Sequence, residues 1–329
     1  MSADVIIVGA GLSGLVAAQQ LKAAGKNIII LDKGRSVGGR LATRRIGDGL
    51  ADHGAQFFTV RTDEFKLQVD QWLADDLVYV WGHGWSDGSL KKTSADGNPR
   101  YVTKGGMNNL AKNLAASLGK IHVDTKVSKV EWRDNLWHVS DANDEVFQAK
   151  QLIMTPPVPQ TLALIEDVVL SEDDKQALER IQYGPCLCGL FVIDGEINLP
   201  EPGAIQNFDN TVYWIADNQS KGISPDEHII TLHVEARYSR NHYDDADDVT
   251  LALLREELQK YLVGDASILS EQLKKWRYSV PLTTYPNDIL QADNLPIIFA
   301  GDAFGGRGRV EGAYLSGLAA GKAAIANLD

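Results

Sequence analysis

Residues 4–32 of the chain read DVIIVGAGLSGLVAAQQLKAAGKNIIILD. The apolar runs VIIV and NIIIL are typical of buried strands, and the segment LVAAQQLKAAG between them predicts a helix that ends at Gly25. Continuous apolar strands that alternate with helices indicate a parallel sheet covered on both faces. The stretch therefore predicts a β-α-β unit at the start of an α/β fold.

The turn of this unit, GAGLSG at 9–14, has the spacing GxGxxG. Gly9 permits the tight turn, Gly11 lets a pyrophosphate approach the backbone, and Gly14 lets the helix pack closely on the strand. The helix N-terminus offers N–H groups and positive potential to phosphates, and Asp32 can accept hydrogen bonds from ribose hydroxyls. The turn therefore predicts a dinucleotide site, with the candidate residues Gly9, Gly11, Leu12, Ser13, Gly14 and Asp32.

Two further glycine motifs favour FAD over NAD as the dinucleotide. The segment DKGRSVGGR at 32–40 joins a glycine pair to arginines, which suits a longer dinucleotide whose pyrophosphate needs local cations. The segment GDAFGGRGRVEGA at 301–313 follows the apolar run LPIIFAG. Its Asp302 could accept hydrogen bonds from ribityl hydroxyls, and the helix that follows could direct its N-terminus at the flavin edge that becomes negative on reduction. The candidates are Lys33, Arg35, Gly39, Arg40, Gly301, Asp302, Val310, Gly312 and Ala313.

Composition limits the classes of partner. The chain has 329 residues, with 32 Lys+Arg against 44 Asp+Glu, a formal net charge of −12. A protein this acidic is repelled by nucleic acids and anionic membranes, so any anionic ligand needs a local basic site. The two cysteines, Cys186 and Cys188, provide neither a disulfide scaffold nor metal-ligand spacing. With no signal peptide or membrane span in the pattern, we expect a cytoplasmic protein that binds a small molecule and no metal.

The two ends of the chain read as one domain into which a second is inserted. We expect a Rossmann-like FAD-binding domain with a β-meander crossover, and an α+β substrate domain with an antiparallel sheet. The predicted FAD-binding domain comprises 1–62, 105–158 and 290–329, and the predicted substrate domain comprises 63–104 and 159–289. Helices are predicted near Asp63–Ala74, Gly106–Leu118, 171–182 and 246–262. Short strands are predicted within 77–104, and a strand, a three-stranded meander and the separate return strand QLIMT within 121–155.

The three glycine motifs resemble the FAD-binding signature of the flavin amine oxidase superfamily, and the chain as a whole resembles the renalases, above all the bacterial ones. The renalase resemblance runs through DHGAQFFT (52–59), TPPVP (155–159), YWIADNQSK (213–221), TLHVEARYSRNH (231–242), KKWRYSVP (274–281) and GRVEGAYLSG (308–317). It implies FAD contacts by Ser13 and Arg40, backbone contact of Val127 with the adenine, and flavin contacts by Gly54, Ala55, Gln56 and Phe57.

The resemblance also implies an activity. Renalases oxidise the 2- and 6-dihydro isomers of reduced nicotinamide nucleotides, return NAD(P)+ and pass the electrons to O2 as hydrogen peroxide. Consistent with this, the sequence has no second strand-GxGxxG-helix unit, so a pyridine nucleotide would enter as a substrate. Arg309 stands where amine oxidases often carry a tyrosine, and an arginine there would repel a cationic amine. No cysteine lies near 301–313, so we expect FAD to be noncovalent.

Two other functions stay open at this point. The chain could be an FAD-dependent oxidase of another small molecule such as an amine, or a non-catalytic flavin-binding sensor or scaffold. The substrate-side candidates are Arg309, Trp214, Trp276 and Phe57, although core packing accounts equally well for the two tryptophans. A structural role is expected for His53, His233 and His242. The residues Arg237, Arg240, Lys274 and Arg277 could meet a substrate phosphate or form a solvated face. The sequence leaves the catalytic residue and the oligomeric state open.

Overall fold

The computed structural model describes residues 2–88, 96–306 and 308–329, so 89–95 of the predicted strand region 77–104 lie outside the described residues. The chain divides into two compact units. Unit 1 comprises 1–40, 110–183 and 281–329, and unit 2 comprises 41–109 and 184–280. The functional assignment of an FAD-binding and a substrate domain, with the boundaries given above, stays a prediction.

The described strands are β1 (Ser2–Val8), β2 (Ile28–Leu31), β3 (Thr43–Ile46), β4 (Gly49–Asp52), β5 (Val78–Gly82), β6 (Arg100–Thr103), β7 (Val127–Arg133), β8 (Leu136–Asp141), β9 (Val146–Met154), β10 (Tyr183–Asp194), β11 (Ala204–Gln206), β12 (Val212–Asp217), β13 (Ile229–Val234), β14 (Ser267–Pro281), β15 (Leu290–Gln291) and β16 (Ile297–Phe299). The described α-helices are α1 (Leu12–Ala23), α2 (Asp63–Ala74), α3 (Asn108–Ala116), α4 (Val158–Leu164), α5 (Glu172–Glu179), α6 (Ala236–Asn241), α7 (Asp247–Gln259) and α8 (Val310–Leu328).

Unit 1 is built on a sheet whose central strands are parallel. The order is β15-β16-β9-β1-β2, and β8 and β7 extend it as an antiparallel meander. The strand β9 pairs with β8 through its first half and with β16 through its second half. The sequence predicted two separate strands here, the last strand of the meander and the return strand QLIMT. They form one strand because no turn residue divides them.

Helices α1 and α8 of unit 1 approach each other closely through small residues. A Cβ added at Gly317 would lie 2.5 Å from the carbonyl oxygen of Ser13, and one at Gly321 would lie 2.6 Å from the Cβ of Gln20. Glycine at both positions therefore permits the backbones to touch. The apolar C-terminal segment forms helix α8, which is largely buried. Among the described residues, no helix is long and apolar enough to cross a membrane.

Unit 2 is built on an antiparallel sheet of the order β11-β12-β13-β10-β14, accompanied by the hairpins β3-β4 and β5-β6. Its central strands β10 and β13 are almost wholly buried. Cys186 and Cys188 lie two residues apart in β10, and both are buried free thiols. Helix α7 contributes Leu254 and Leu258 to the same apolar core. The prediction of an α/β fold with one mainly parallel sheet and one antiparallel sheet is confirmed.

Two details of the predicted elements are wrong. The segment 121–125 forms only the single bridge Leu31↔His122, because the backbone N–H groups of Asp124 and Thr125 bond to the loop at 32–34 instead of a strand. Helix α3 is shorter than the predicted Gly106–Leu118. Gly106 has φ +92, which belongs to a turn, so it precedes the helix.

Candidate cofactor and substrate sites

The predicted dinucleotide turn lies in unit 1 at the start of α1. Gly9 has φ +102, and a Cβ there would lie 2.3 Å from Oγ1 of Thr155. A Cβ at Gly14 would lie 2.0 Å from the carbonyl oxygen of Gly9. Gly11, in contrast, has no atom of the described chain within 4 Å of an added Cβ. The first and third glycines are thus required by packing, whereas the second borders open space.

The start of α1 has unused hydrogen-bonding capacity. Its N-cap, Gly11, provides no side-chain cap, and the Oγ of Ser13 is buried with no hydrogen-bond partner in the described part of the chain. Buried hydroxyl groups are rarely left unpaired. A pyrophosphate in the space beside Gly11 would accept from Ser13 and from the N–H groups of the first turn. These features fit the phosphate portion of FAD.

Asp32 braces the loops on both sides of this space. Its carboxylate accepts from the backbone N–H of Ala10 at 2.6 Å and from that of Gly34 at 2.6 Å. The N–H of Gly38 donates to the carbonyl oxygen of Ala10 at 2.8 Å, which joins the two glycine loops. The half-buried Asp32 has further acceptor capacity, because two carboxylate oxygens offer about four acceptor sites.

The structure pairs two candidates that sequence reasoning had assigned to separate parts of FAD. Arg40 makes a bidentate ion pair with Asp302, with both N–O distances 2.6 Å. The hydroxyl of Tyr183 donates to the same carboxylate at 3.3 Å, and its ring lies 5.5 Å from the guanidinium carbon of Arg40. The charge predicted to neutralise a pyrophosphate therefore already has a carboxylate partner within unit 1.

The remaining unit 1 candidates lie near these groups or at helix ends. Arg35 is exposed, and the exposed Lys33 donates to Oε1 of Gln160 at 3.0 Å. Gly301 donates its N–H to Oγ of Ser316 at 2.8 Å, and the exposed Arg309 is the N-cap of α8. The other candidates begin elements or contact the glycine turn: Leu12 begins α1, Gly39 lies beside Gly11, Val127 begins β7, and Val310, Gly312 and Ala313 form the first turn of α8.

In unit 2, the predicted flavin-facing segment is tied to the end of β4. The Nε2 of Gln56 donates to the carbonyl oxygens of Asp52 at 2.7 Å and Gly54 at 3.2 Å, which closes the turn through Ala55. The Oε1 of Gln56 is buried and has no partner among the described residues. Gln56 is therefore held by its amide nitrogen, and its acceptor oxygen is left for a ligand.

The aromatic candidates of unit 2 fall into two groups. The ring of Phe57 lies 5.0 Å from that of Trp85 and 5.5 Å from that of Trp214, and Trp214 is only 1% exposed. Trp276 instead stacks on His53 at 5.3 Å and donates its indole N–H to the His53 carbonyl oxygen at 2.7 Å. Trp214 thus belongs to a buried aromatic cluster, whereas the half-buried Trp276 forms a separate stack.

Sequence reasoning missed a buried ion pair beside this segment. The Nζ of Lys221 lies 2.5 Å from Oδ2 of Asp52, and both side chains have 0% exposure. The other carboxylate oxygen accepts from Oγ1 of Thr43 at 2.5 Å and from the N–H of Met107 at 2.8 Å. Both charged residues stand in segments quoted above for the renalase resemblance. Their pairing spans 169 positions, which no local pattern reveals.

The two histidines near this segment are neutral at pH 7. Burial, with the positive charges of Lys274 and Arg44, lowers the pKa of His53 to about 4. Burial, with His53 and Lys221, lowers the pKa of His233 to about 3. Neither ring therefore carries the positive charge through which an imidazolium could act.

Two family models match the chain. The model of the family described as flavin containing amine oxidoreductase matches residues 83–325, and that of the NAD(P)-binding Rossmann-like domain matches residues 7–69. Renalase from Mus musculus is 25% identical over 297 residues, which cover 84% of each chain.

Solved structures show the same fold at low sequence identity. A putative protoporphyrinogen oxidase from Exiguobacterium sp. 255-15 has a TM-score of 0.73 at 13% identity, covering 98% of this chain and 99% of that chain. Putrescine oxidase bound to putrescine has a TM-score of 0.74 at 16% identity, covering 99% of each chain. With the glycine turn that fits FAD and a family match over most of its length, this chain belongs to the flavin containing amine oxidoreductases and is an FAD-dependent oxidoreductase.

Proposed function

We propose that this enzyme oxidises the 2- and 6-dihydro isomers of NAD(P)H, returns NAD(P)+ and passes the electrons to O2 to give hydrogen peroxide. The observation that carries the proposal is the similarity to mouse renalase over 84% of both chains. That similarity extends far beyond the glycine motifs that many flavoenzymes share. The solved amine oxidase structure, at 16% identity, supports the fold alone.

The proposed reaction places few chemical demands on the side chains. When bound, FAD accepts a hydride from the substrate and delivers the electrons to O2. A dihydropyridine is already a hydride donor, and recovery of aromaticity drives its oxidation, so no protein base is required. The work left to the chain is to bind and orient its ligands. The neutral, largely buried His53 and His233 are compatible with such a site.

We assign the holding of FAD to the predicted candidates of unit 1, and flavin contact by the segment 54–57 rests on the resemblance to the renalases. Ser13 and the N–H groups of α1 would bind the pyrophosphate, and Asp32 would bind a ribose. The bidentate pair with Arg40 fixes the position of the Asp302 carboxylate, which would accept hydrogen bonds from ribityl hydroxyls. Gln56 would present its unpartnered Oε1 to a donor on the flavin ring.

On the substrate side, we assign charge selection to Arg309 and contact with the substrate ring to Phe57. Arg309 is exposed at the N-terminus of α8, where its own charge adds to the positive end of the helix. This combination attracts an anionic dinucleotide and repels an ammonium group. Trp214 would hold the Phe57 ring in position from within the aromatic cluster. Trp276 would contribute to the substrate site as part of its stack with His53.

Amine oxidation is the second candidate, favoured by the family description. It predicts a site that stabilises a cation, which Arg309 opposes.

A non-catalytic flavin protein is the third reading, and it predicts that no small-molecule donor reduces the flavin at a useful rate.

The proposal is tested by the stoichiometry of aerobic turnover. With a 2- or 6-dihydro isomer as substrate, an oxygen electrode and a peroxide assay should show one O2 consumed and one hydrogen peroxide formed for each NAD(P)+ that appears. Catalase should return half of the oxygen. Conversion of the isomer to ordinary 4-dihydro NAD(P)H without oxygen uptake would contradict an oxidase.

A further inference from the structure

Several cations of unit 2 make no ion pair within the described part of the chain, and Arg44 and Lys274 are two of them. Among residues 2–88, 96–306 and 308–329, neither Arg44 nor Lys274 makes an ion pair, although the chain carries an excess of acidic residues. The cations next to Lys274 on β14 differ in this respect. Lys275 pairs with Asp247 at 3.0 Å, and Arg277 pairs with Asp244 at 3.3 Å. Within the described residues, Arg44 and Lys274 therefore have no carboxylate in direct ion-pair contact.

The strand geometry brings the two cations to one face. Lys274 and Trp276 stand two residues apart on β14, so their side chains lie on the same face of the strand. Trp276 packs against the cluster that contains Ala51, and Ala51 is the cross-strand partner of Arg44 in the β3-β4 hairpin. Cross-strand partners share a face, so Arg44 lies on the face of the hairpin that contributes Ala51 to this cluster.

A rigid aromatic surface lies beside these cations. The His53 and Trp276 rings stack at 5.3 Å with an interplanar angle of 24°, and the indole hydrogen bond to the His53 carbonyl oxygen fixes their relation. The Nδ1 of His53 is buried and has no partner in the described chain. The two cations thus lie beside an aromatic stack that contains a buried ring nitrogen without a hydrogen-bond partner in the described chain.

Electrostatics support the proximity of these groups. Burial and then the charge of Arg44 lower the pKa of Lys274, while Cys188 and Asp247 act in the opposite direction. The pKa of His53 is lowered by burial and by both Lys274 and Arg44. The three groups therefore share a region of positive potential, and a bound anion would relieve the repulsion between the cations.

We propose that Arg44 and Lys274, beside the His53–Trp276 stack, form an anion-binding subsite that receives the phosphate groups of the dinucleotide substrate. The proposal rests on the function proposed above and adds a phosphate site to it. Arg277 is a poorer candidate, because its guanidinium is engaged by Asp244 and lies 4.2 Å from the centre of the Tyr243 ring. Guanidinium and ammonium groups are the usual protein ligands of phosphate oxygens.

The subsite is tested first by binding without turnover. Calorimetric titration of the FAD-loaded enzyme with inorganic pyrophosphate and with ADP-ribose should show binding that weakens as NaCl is raised. The variants Arg44→Gln and Lys274→Gln should each bind on the order of tenfold more weakly. The control is the double variant Arg45→Gln/Arg277→Gln, which removes the same net charge as the double variant Arg44→Gln/Lys274→Gln. Arg45 lies on the opposite face of β3 from Arg44. Equal affinity in the wild type and in Arg44→Gln/Lys274→Gln would overturn the subsite.

A second readout separates the subsite from the reaction. The Arg44→Gln/Lys274→Gln variant should lose apparent affinity for a 2- or 6-dihydro dinucleotide, yet oxidise the phosphate-free dihydronicotinamide riboside as the wild type does. Equal losses with both substrates would contradict the subsite. If no dihydropyridine reduces the wild-type flavin while pyrophosphate binding still depends on the two cations, the proposed function fails and the subsite stands.

Discussion

Gly11 and Gly14 belong to one turn, but their missing side chains face different surroundings. At Gly14 a Cβ would collide with the carbonyl oxygen of Gly9, whereas at Gly11 it would enter open space. A substitution at Gly14 therefore tests the fold, and one at Gly11 tests what occupies that space. The same distinction applies to other residues. A substitution tests folding where protein encloses the side chain, and it tests ligand binding where the side chain borders open space.

We expect Gly11→Val to lose FAD while it retains its fold. The Cβ of the valine would meet no atom of the described chain within 4 Å, so the side chain would enter the space assigned to the pyrophosphate. Flavin absorbance per mole of purified protein should fall to a small fraction of the wild-type value, and the far-ultraviolet circular dichroism should be unchanged. Gly14→Ala is the matched comparison and should disturb folding itself. Full flavin occupancy in Gly11→Val would refute the assignment.

Arg309→Ala should weaken the binding of the anionic substrate without loss of flavin. We expect a decrease in apparent affinity on the order of tenfold, the factor that about 1.4 kcal/mol provides. Because arginine stays protonated at any working pH, this decrease should be the same at pH 6 and pH 8. The dependence of the flavin reduction rate on substrate concentration measures it. Loss of FAD, with affinity unchanged in the remaining holoenzyme, would show that Arg309 serves the cofactor.

The low pKa of His53 predicts that stability falls in mild acid. Unfolded His53 takes up a proton near its ordinary pKa of 6.5, whereas the folded side chain does so only near pH 4. Its contribution is therefore complete above pH 6.5 and is lost as the pH falls towards 4, with a slope of up to about 1.4 kcal/mol per pH unit. Chemical denaturation between pH 7 and pH 5 measures this slope. His53→Phe keeps an aromatic ring opposite Trp276 and should reduce the slope; an unchanged slope would exclude His53 as its source.

At the scale of elements, the Asp52–Lys221 pair connects the end of β4 to the loop after β12. The carbonyl oxygen of Asp52 also accepts from Oγ1 of Thr231 on β13 at 3.0 Å. One residue thus fixes the start of the segment that carries Gln56 and Phe57. A buried ion pair does not by itself add much stability, but removal of one partner leaves an unpaired charge in the interior.

Lys221→Met should therefore destabilise the protein by about 3–5 kcal/mol. Combining it with Asp52→Asn should recover a large part of the loss, because the asparagine oxygen still accepts from Thr43 and Met107 while the buried charge is gone. The free energy of unfolding in urea measures both. Lys66→Met, which breaks the exposed Lys66–Asp70 pair of α2, is the control and should change stability by about 1 kcal/mol or less. A Lys221→Met effect no larger than that of the control would contradict the role of the pair.

The same scale shows what the sequence could predict. The bounds of α2 agree with the prediction because local signals define them: Thr62 caps the first turn, and Asp63 and Glu64 follow it. The strand expected ahead of the meander did not form, because the backbone N–H groups of Asp124 and Thr125 bond to the loop at 32–34.

The candidate site shows the same contrast. The glycine turn was readable from spacing alone. The Arg40–Asp302 pair joins residues 262 positions apart, and residue types do not reveal that each is the partner of the other.

At the scale of the whole molecule, the chemistry of the cysteines bears on how FAD is held. The chain has two cysteines, both buried in β10 of unit 2, and burial raises the pKa of the Cys186 thiol to about 12. A buried protonated thiol is a poor nucleophile towards a flavin. We expect acid precipitation to release all of the FAD into the supernatant. Flavin that remains with the protein pellet would contradict noncovalent binding.

The proposed function is tested most directly by anaerobic mixing of the FAD-loaded enzyme with candidate donors while the flavin absorbance is followed. The 2- and 6-dihydro isomers of NAD(P)H should bleach the flavin rapidly, and ordinary 4-dihydro NADH should do so slowly. Benzylamine and polyamines should leave it oxidised over the same time. Bleaching by an amine that is faster than by any dihydropyridine would contradict the proposed function and favour an amine oxidase.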